Sequence, residues 1–149
     1  MSVPLPNEQV AVVGVIDPDV STAAAYSTAY IDASKFAAFQ AIIMAGELGT
    51  SATVDAKLEQ ATTVSGTGKK DITGKAITQL TQAGTDSDKQ AVIDLRSAEL
   101  DTANGFDFFR LTVTVAVATS DMGAVVIGLN PSNGPASDND ASTVDEIVV

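Results

Sequence analysis

A chain of 149 residues with 19 acidic and 8 basic side chains carries a formal net charge of −11, and it contains neither cysteine nor histidine. That length suits one domain with a real core. The composition excludes disulfides, thiolate metal sites and any mechanism that turns on an imidazole, and the charge opposes phosphate backbones and anionic membrane surfaces, so neither nucleic acid nor membrane is an expected partner.

Residues 1–20 are punctuated by Pro4, Pro6 and Pro18 around one apolar run, residues 10–16. The run predicts a single strand or an extended arm. No basic and apolar leader pattern opens the chain, and no apolar run approaches the ~20 residues of a membrane helix, so a soluble protein is expected. Residues 21–29 form a small, polar connector with a short strand at Tyr26.

Residues 31–44 are apolar at both parities, with Phe36, Ala38, Ile42 and Met44 on one and Phe39, Ala41 and Ile43 on the other. This pattern predicts a strand covered on both faces. Residues 52–61 alternate cleanly, Val54, Ala56 and Leu58 against Thr53, Asp55, Lys57 and Glu59, which predicts a half-exposed strand. A turn at Gly66 and Gly68 leads to a β-rich run at 72–81, where Gly74 suggests a bulge.

Residues 89–100 fit a helix or a strand by periodicity, and the β context favours a strand through Leu95 with a turn after it. Residues 106–117 are the clearest strand, with Phe109, Leu111, Val113, Val115 and Val117 on one face. Residues 123–129 follow, apolar on both faces. The chain then turns to Pro, Ser, Asn and Asp at 131–143 and ends on Ile147, Val148 and Val149. The expectation is an all-β fold: one antiparallel sandwich or barrel, jelly-roll-like, over residues 21–130, with arms at 1–20 and 131–149.

Both arms carry apolar residues suited to a partner's sheet edge. The expected subunit-interface residues are Val10, Val12, Val13, Val15 and Ile16 in the first, and Ile147, Val148 and Val149 in the second. Residues 10–16 pair either within their own monomer or with a neighbour; the last three are expected to dock on another subunit. Deleting the residues after Pro131 is therefore expected to weaken attachment without unfolding the core.

The sequence offers little chemistry. Gly66-Thr67-Gly68-Lys69-Lys70 lacks the spacing and the following Ser or Thr of a phosphate-binding loop. Asp55 with Glu59, or Glu99 with Asp101, are the only paired carboxylates with the makings of a glycosidase, and no tryptophan accompanies them. Asp17-Pro18-Asp19 and Asp138-Asn139-Asp140 offer oxygen ligands but not a calcium-loop spacing, and read as turn formers. No catalytic residue, metal or cofactor is expected. Tyr26, Tyr30 and Phe108 are the aromatics with which a sugar platform could be built.

Several segments carry a resemblance. They are Ser34-Lys35-Phe36 before the apolar strand and Gly46; Leu58-Glu59-Gln60-Ala61 with Gly66-Thr67-Gly68-Lys69; Val92-Ile93-Asp94-Leu95; Leu100-Asp101; and Phe106 through Val113. From Ile31 to about Pro135 the chain resembles small virion proteins of tailed bacteriophages, most of all a capsid decoration, or cement, protein. The resemblance implies a compact β domain that forms homotrimers on the outer shell of the virion. Such a domain clamps capsomers of the major capsid protein with its arms and has no catalytic residues. Tail-tube and head–tail connector proteins, and more distantly carbohydrate-binding β-modules, are the alternatives.

Overall fold

The computed structural model describes residues 2–149. A single helical turn, Pro6–Gln9, opens the chain, with Pro6 at the position where its fixed φ and missing N–H cost nothing. Ten strands follow: β1 Val10–Ser21, β2 Ala24–Ser27, β3 Ile31–Asp32, β4 Phe36–Ala45, β5 Thr53–Ala61, β6 Lys70–Ala76, β7 Leu80–Thr81, β8 Gln90–Arg96, β9 Phe108–Ala116 and β10 Ser120–Pro131.

They form two antiparallel sheets. Sheet A is four-stranded in the order β1-β10-β4-β8. Sheet B runs β2-β9-β5-β6, with β3 also on β9 and β7 also on β5. The first strand therefore pairs with the last, β2 and β3 with β9, β4 with β8, and β5 with β6. The chain is one long hairpin, folded back at residues 62–69 and wound into a sandwich, which is the jelly-roll arrangement. The expected all-β sandwich is thus the observed fold.

The core is the space between the sheets. Phe39, Ala41, Ile43 and Ala45 of β4 point inward with Met122, Ala124 and Val126 of β10 and Ile93 and Leu95 of β8. Val54, Ala56 and Leu58 of β5 face them, with Phe109, Leu111, Val113 and Val115 of β9. Phe39 and Phe109 meet edge to face across the gap, ring centroids 4.7 Å apart, which is a favoured aromatic geometry. Period-two alternation makes this possible: each strand offers every second residue to the interior.

The structure changes four expectations. First, β4 and β10 are not covered on both faces. Their second faces, Ala38, Gln40, Ile42 and Met44 with Val125, Ile127 and Leu129, are half-buried or exposed on the outside of sheet A. They are central strands of a sheet with no third layer over it, and apolar parity alone cannot say which face is covered. Second, residues 10–20 are not an arm. β1 runs through Pro18 to Ser21 and is hydrogen-bonded to β10 from Val10 to Ser21. Pro18 fits because it lies in a bulge, between the pairs Ile16–Ala124 and Asp19–Met122, where no ladder N–H is required of it.

Third, the C-terminal segment is not free of the core. A 3-10 turn at Ala136–Asn139 buries Ala136 completely. The Val12 N–H donates to Asp140 Oδ1 at 2.8 Å, and the Ala141 N–H donates to the Val12 carbonyl at 2.7 Å. This segment satisfies backbone groups on the outer edge of β1, which otherwise has a partner only in β10. Fourth, Val117 does not continue β9. It is 70% exposed with φ at 73°, a left-handed conformation that a β-branched residue adopts only under strain.

Candidate functional site

The outward faces of the two sheets are built by the same alternation and carry different chemistry. On sheet B, the outward residues of β5 are Asp55, Lys57 and Glu59, opposite Thr114, Thr112 and Arg110 of β9. Glu59 is the centre of this face. Its side chain is only 5% exposed. Arg110 Nε lies 3.2 Å from Oε1, Thr112 Oγ1 donates to the same oxygen at 2.5 Å, and the ammonium groups of Lys69 and Lys57 stand 3.7 and 3.9 Å from Oε2.

Burial alone would push the Glu59 carboxyl up, but the Thr112 hydroxyl, the Arg110 guanidinium and Lys69 outweigh it and hold it below the ordinary range. The turn at residues 62–69 closes over this cluster. A Cβ on Gly66, which sits at φ +91°, would stand 2.7 Å from the Tyr30 ring, so only glycine lets the turn pack there. Tyr30 in turn lies under the Arg110 guanidinium, 4.9 Å from ring centroid to Cζ.

This face is saturated. Asp71 pairs with Lys57 at 2.8 Å, Asp55 accepts from Gln79 Nε2 at 2.7 Å, and Asp101 pairs with Lys70 at 2.6 Å. Glu99 pairs with Lys75 at 3.1 Å and accepts the Arg96 N–H at 2.8 Å. Every carboxylate of both candidate pairs is thus engaged, Asp55 by a side-chain amide and Glu59, Glu99 and Asp101 by ion pairs. Of the candidate aromatics, Tyr26 and Tyr30 are engaged too, and Phe108 is half-buried on β9. Tyr26 packs against the core and donates its hydroxyl to the Thr22 carbonyl at 3.0 Å, and Phe106 lies under Lys70. Among the described residues no three acidic side chains converge as metal ligands, and Asp140 instead serves β1 as described above.

Sheet A presents the opposite surface. Register places Val12 and Val15 of β1 beside Ile127 and Val125 of β10, and Val125 beside Ile42 of β4, which faces Val92 of β8. Met44 and Val92 are 54% and 53% exposed. At one end the β1 bulge folds outward over β10: a Cβ on Gly123 would lie 2.7 Å from Pro18 Cα. Between this bulge and Met44 runs an open groove of about 550 Å³, lined by Val15, Pro18, Val20, Met44, Gly123 and Val125 among others. Val20 on its rim is 64% exposed.

The residues expected at a subunit interface fall in three places. Val12 and Val15 are on the outer face of sheet A, paired opposite outward residues of β10; Val10 lies at its end, opposite Leu129. Val13 occupies the first β1 bulge and packs against the core, and Ile16 is buried in it. Ile147, Val148 and Val149 are exposed, at 43%, 84% and 84%. Sequence reasoning did not identify Met44, Val92, Val125 or Val20 as surface residues. The usable signal was the apolar second parity of β4 and β10, which a sandwich leaves open.

No family model and no curated protein matches this chain. Solved structures with some likeness to it include the cowpea mosaic virus empty virus-like particle, at a TM-score of 0.42 and 13% identity over 76% of this chain and 56% of that one. They also include naturally occurring empty particles of the same virus, at 0.39 and 9% over 72% and 60%. A third is TmCBM61 in complex with β-1,4-galactotriose, at 0.34 and 8% over 74% and 66%. This chain thus spans little more than half the length of the viral chains. At these scores none of the three carries an argument about function.

Proposed function

We propose that this protein is a non-enzymatic structural component of a tailed-phage virion, a decoration protein that binds the outer capsid shell and stabilises the joints between capsomers. The observation that carries this reading is the apolar outer face of sheet A. A contiguous row of Val, Ile and Met side chains on a chain of net charge −11 supports a surface that a partner protein would cover. The sequence resemblance supplies the setting. Jelly rolls serve both in viral shells and in lectins. Tyr26 and Tyr30 are engaged with the core and with Arg110 rather than presented as a sugar platform, which favours the shell.

The physical logic is linkage. A protein that binds across a joint only in the expanded shell stabilises that state by mass action, and many symmetric copies multiply a modest contact. The deciding experiment is the copy number in purified particles, relative to the major capsid protein, by quantitative mass spectrometry. A ratio near one-to-one supports shell-wide decoration. A ratio of a few per cent moves the protein to the tail or connector, and absence from the particle rejects the virion reading.

A further inference from the structure

The groove beside Pro18 combines an apolar floor with an unpaired acidic rim. Val15, Met44 and Val125 supply the floor, and Asp19 and Asp121 line the margin with Asp17 adjacent in the bulge. No lysine or arginine lines it. Among the described residues, every ion pair of the molecule uses other carboxylates: Glu59, Asp71, Asp86, Glu99 and Asp101. Asp19 accepts only the neighbouring Val20 N–H, at 2.7 Å. Other carboxylates also lie outside any ion pair; what sets these apart is that they border an apolar groove with no cation in its lining.

Charge complementarity selects the occupant. A second copy presenting the same groove would bring the same three aspartates face to face. The chain's own Ile147, Val148 and Val149 follow directly on Asp145 and Glu146, which the rim would repel. We propose that the groove is a docking site for a short apolar segment flanked by lysine or arginine on a partner protein: aliphatic side chains fill the floor between Pro18 and Met44, and the flanking cations pair with Asp19 and Asp121. A volume of about 550 Å³ accommodates such a segment. This deepens the proposed function by naming a surface, and rests on that reading only for where the partner is found.

The test uses the full chain and a fluorescein-labelled peptide, Lys-Lys-Val-Ile-Val-Ile-Lys-Lys, with binding followed by anisotropy. Binding is expected at low salt and weakens about tenfold or more in high salt. The same core flanked by glutamates binds at least about tenfold more weakly. Met44→Glu, at an exposed position, abolishes binding while the protein keeps its circular dichroism spectrum. The double variant Asp19→Lys/Asp121→Lys reverses the preference between the two peptides, and Asp55→Lys on sheet B changes neither. Equal binding of both peptides, or binding unaffected by Met44→Glu, overturns the assignment. So does concentration-dependent self-association that Met44→Glu abolishes, which would give the groove to a second copy. Peptide binding as expected in a protein absent from particles would sink the proposed function and leave the docking site standing. Particle attachment unaffected by Met44→Glu, with no peptide binding, would do the reverse.

Discussion

On the outside of sheet B, Lys57, Glu59, Arg110 and Thr112 face outward and hold one another. On the outside of sheet A, Val15, Ile42, Met44, Val92 and Val125 face outward as an apolar row, bordered by Gln40, whose Nε2 donates to Asp94 Oδ1 at 2.9 Å. Both faces arise from strands of the same alternation around the same core. The difference is that every charge on sheet B is satisfied inside the molecule, whereas the apolar area of sheet A gains only when something else covers it. Fully burying one such aliphatic side chain is worth about 1.5–3 kcal/mol. On the proposed reading, the face that forgoes this is the interaction surface and the face knotted by internal ion pairs is the structural one.

The sharpest way to break that distinction is to exchange charge for apolar surface on sheet A. Val125→Glu together with Ile42→Glu is expected to abolish attachment to the particle, a loss of at least about 100-fold, or ~2.7 kcal/mol. Thr114→Glu on sheet B is expected to leave attachment intact, as measured by co-sedimentation with particles. Loss of attachment in Thr114→Glu alone would place the contact on the wrong face.

Next in size is the knot itself. Glu59→Ala strands Arg110 and Thr112 and opens space under the 62–69 turn, and is expected to cost about 2–3 kcal/mol in chemical denaturation with attachment of the folded fraction unchanged. The same residue gives a pH signature. Its carboxyl is held below its ordinary 4.5, so the folded protein binds that proton more weakly than the unfolded chain does. Its stabilisation is complete above that ordinary value and is lost as pH falls through the lower folded one. Asp86, Glu99 and Asp101 are shifted in the same direction. Thermal unfolding from about pH 5 down to about pH 3 should therefore fall more steeply in the wild type than in Glu59→Gln, with a residual slope in the variant. An unchanged slope would mean that the carboxylate is not held as the geometry has it.

How far this contrast could be read in advance follows from the physics of each strand. β9 was legible because Phe109, Leu111, Val113 and Val115 alternate with polar residues, and one covered face leaves a period-two trace. β4 and β10 were legible as strands, but not in what covers them: with both parities apolar, the sequence is the same whether the second face meets another layer or an unfilled groove. β1 was cut short at Ile16 because Pro18 ordinarily ends a strand, and a bulge has no local signature beyond the proline itself. The candidate site suffered most. Val20, Met44, Val92 and Val125 lie on four different strands, and only the winding that pairs the first strand with the last assembles them. Val12 and Val15 were found because they sit in one apolar run.

A smaller effect separates the two parts of the C-terminal segment. Removing residues 145–149 takes away only side chains beyond the last backbone hydrogen bond of the tail, Val144 N–H to the Ala141 carbonyl, and should change stability by no more than ~0.5 kcal/mol. Any loss of attachment in that truncation then belongs to Ile147, Val148 and Val149. The cut after Pro131 is a different experiment. It strips buried Ala136 and the pairing of Asp140 and Ala141 with Val12, and should lower stability by about 2 kcal/mol, so a loss of attachment there would not separate docking from folding.

A stabilising change is expected where the chain passes from one sheet to the other. Val117 joins β9 of sheet B to β10 of sheet A with φ at 73°, and its side chain is largely in solvent. A left-handed conformation costs an L-residue with a branched Cβ roughly 1–2 kcal/mol, and asparagine tolerates it better. Val117→Asn is therefore expected to raise stability by about 1 kcal/mol, seen as a higher denaturation midpoint at unchanged slope. The same variant also asks how far the interaction surface reaches. If attachment is unchanged, the surface ends at the groove and the strain at Val117 is only the geometry of the crossing. If stability rises while attachment falls, the exposed valine belongs to the docking face, and its strain is retained because a partner covers it.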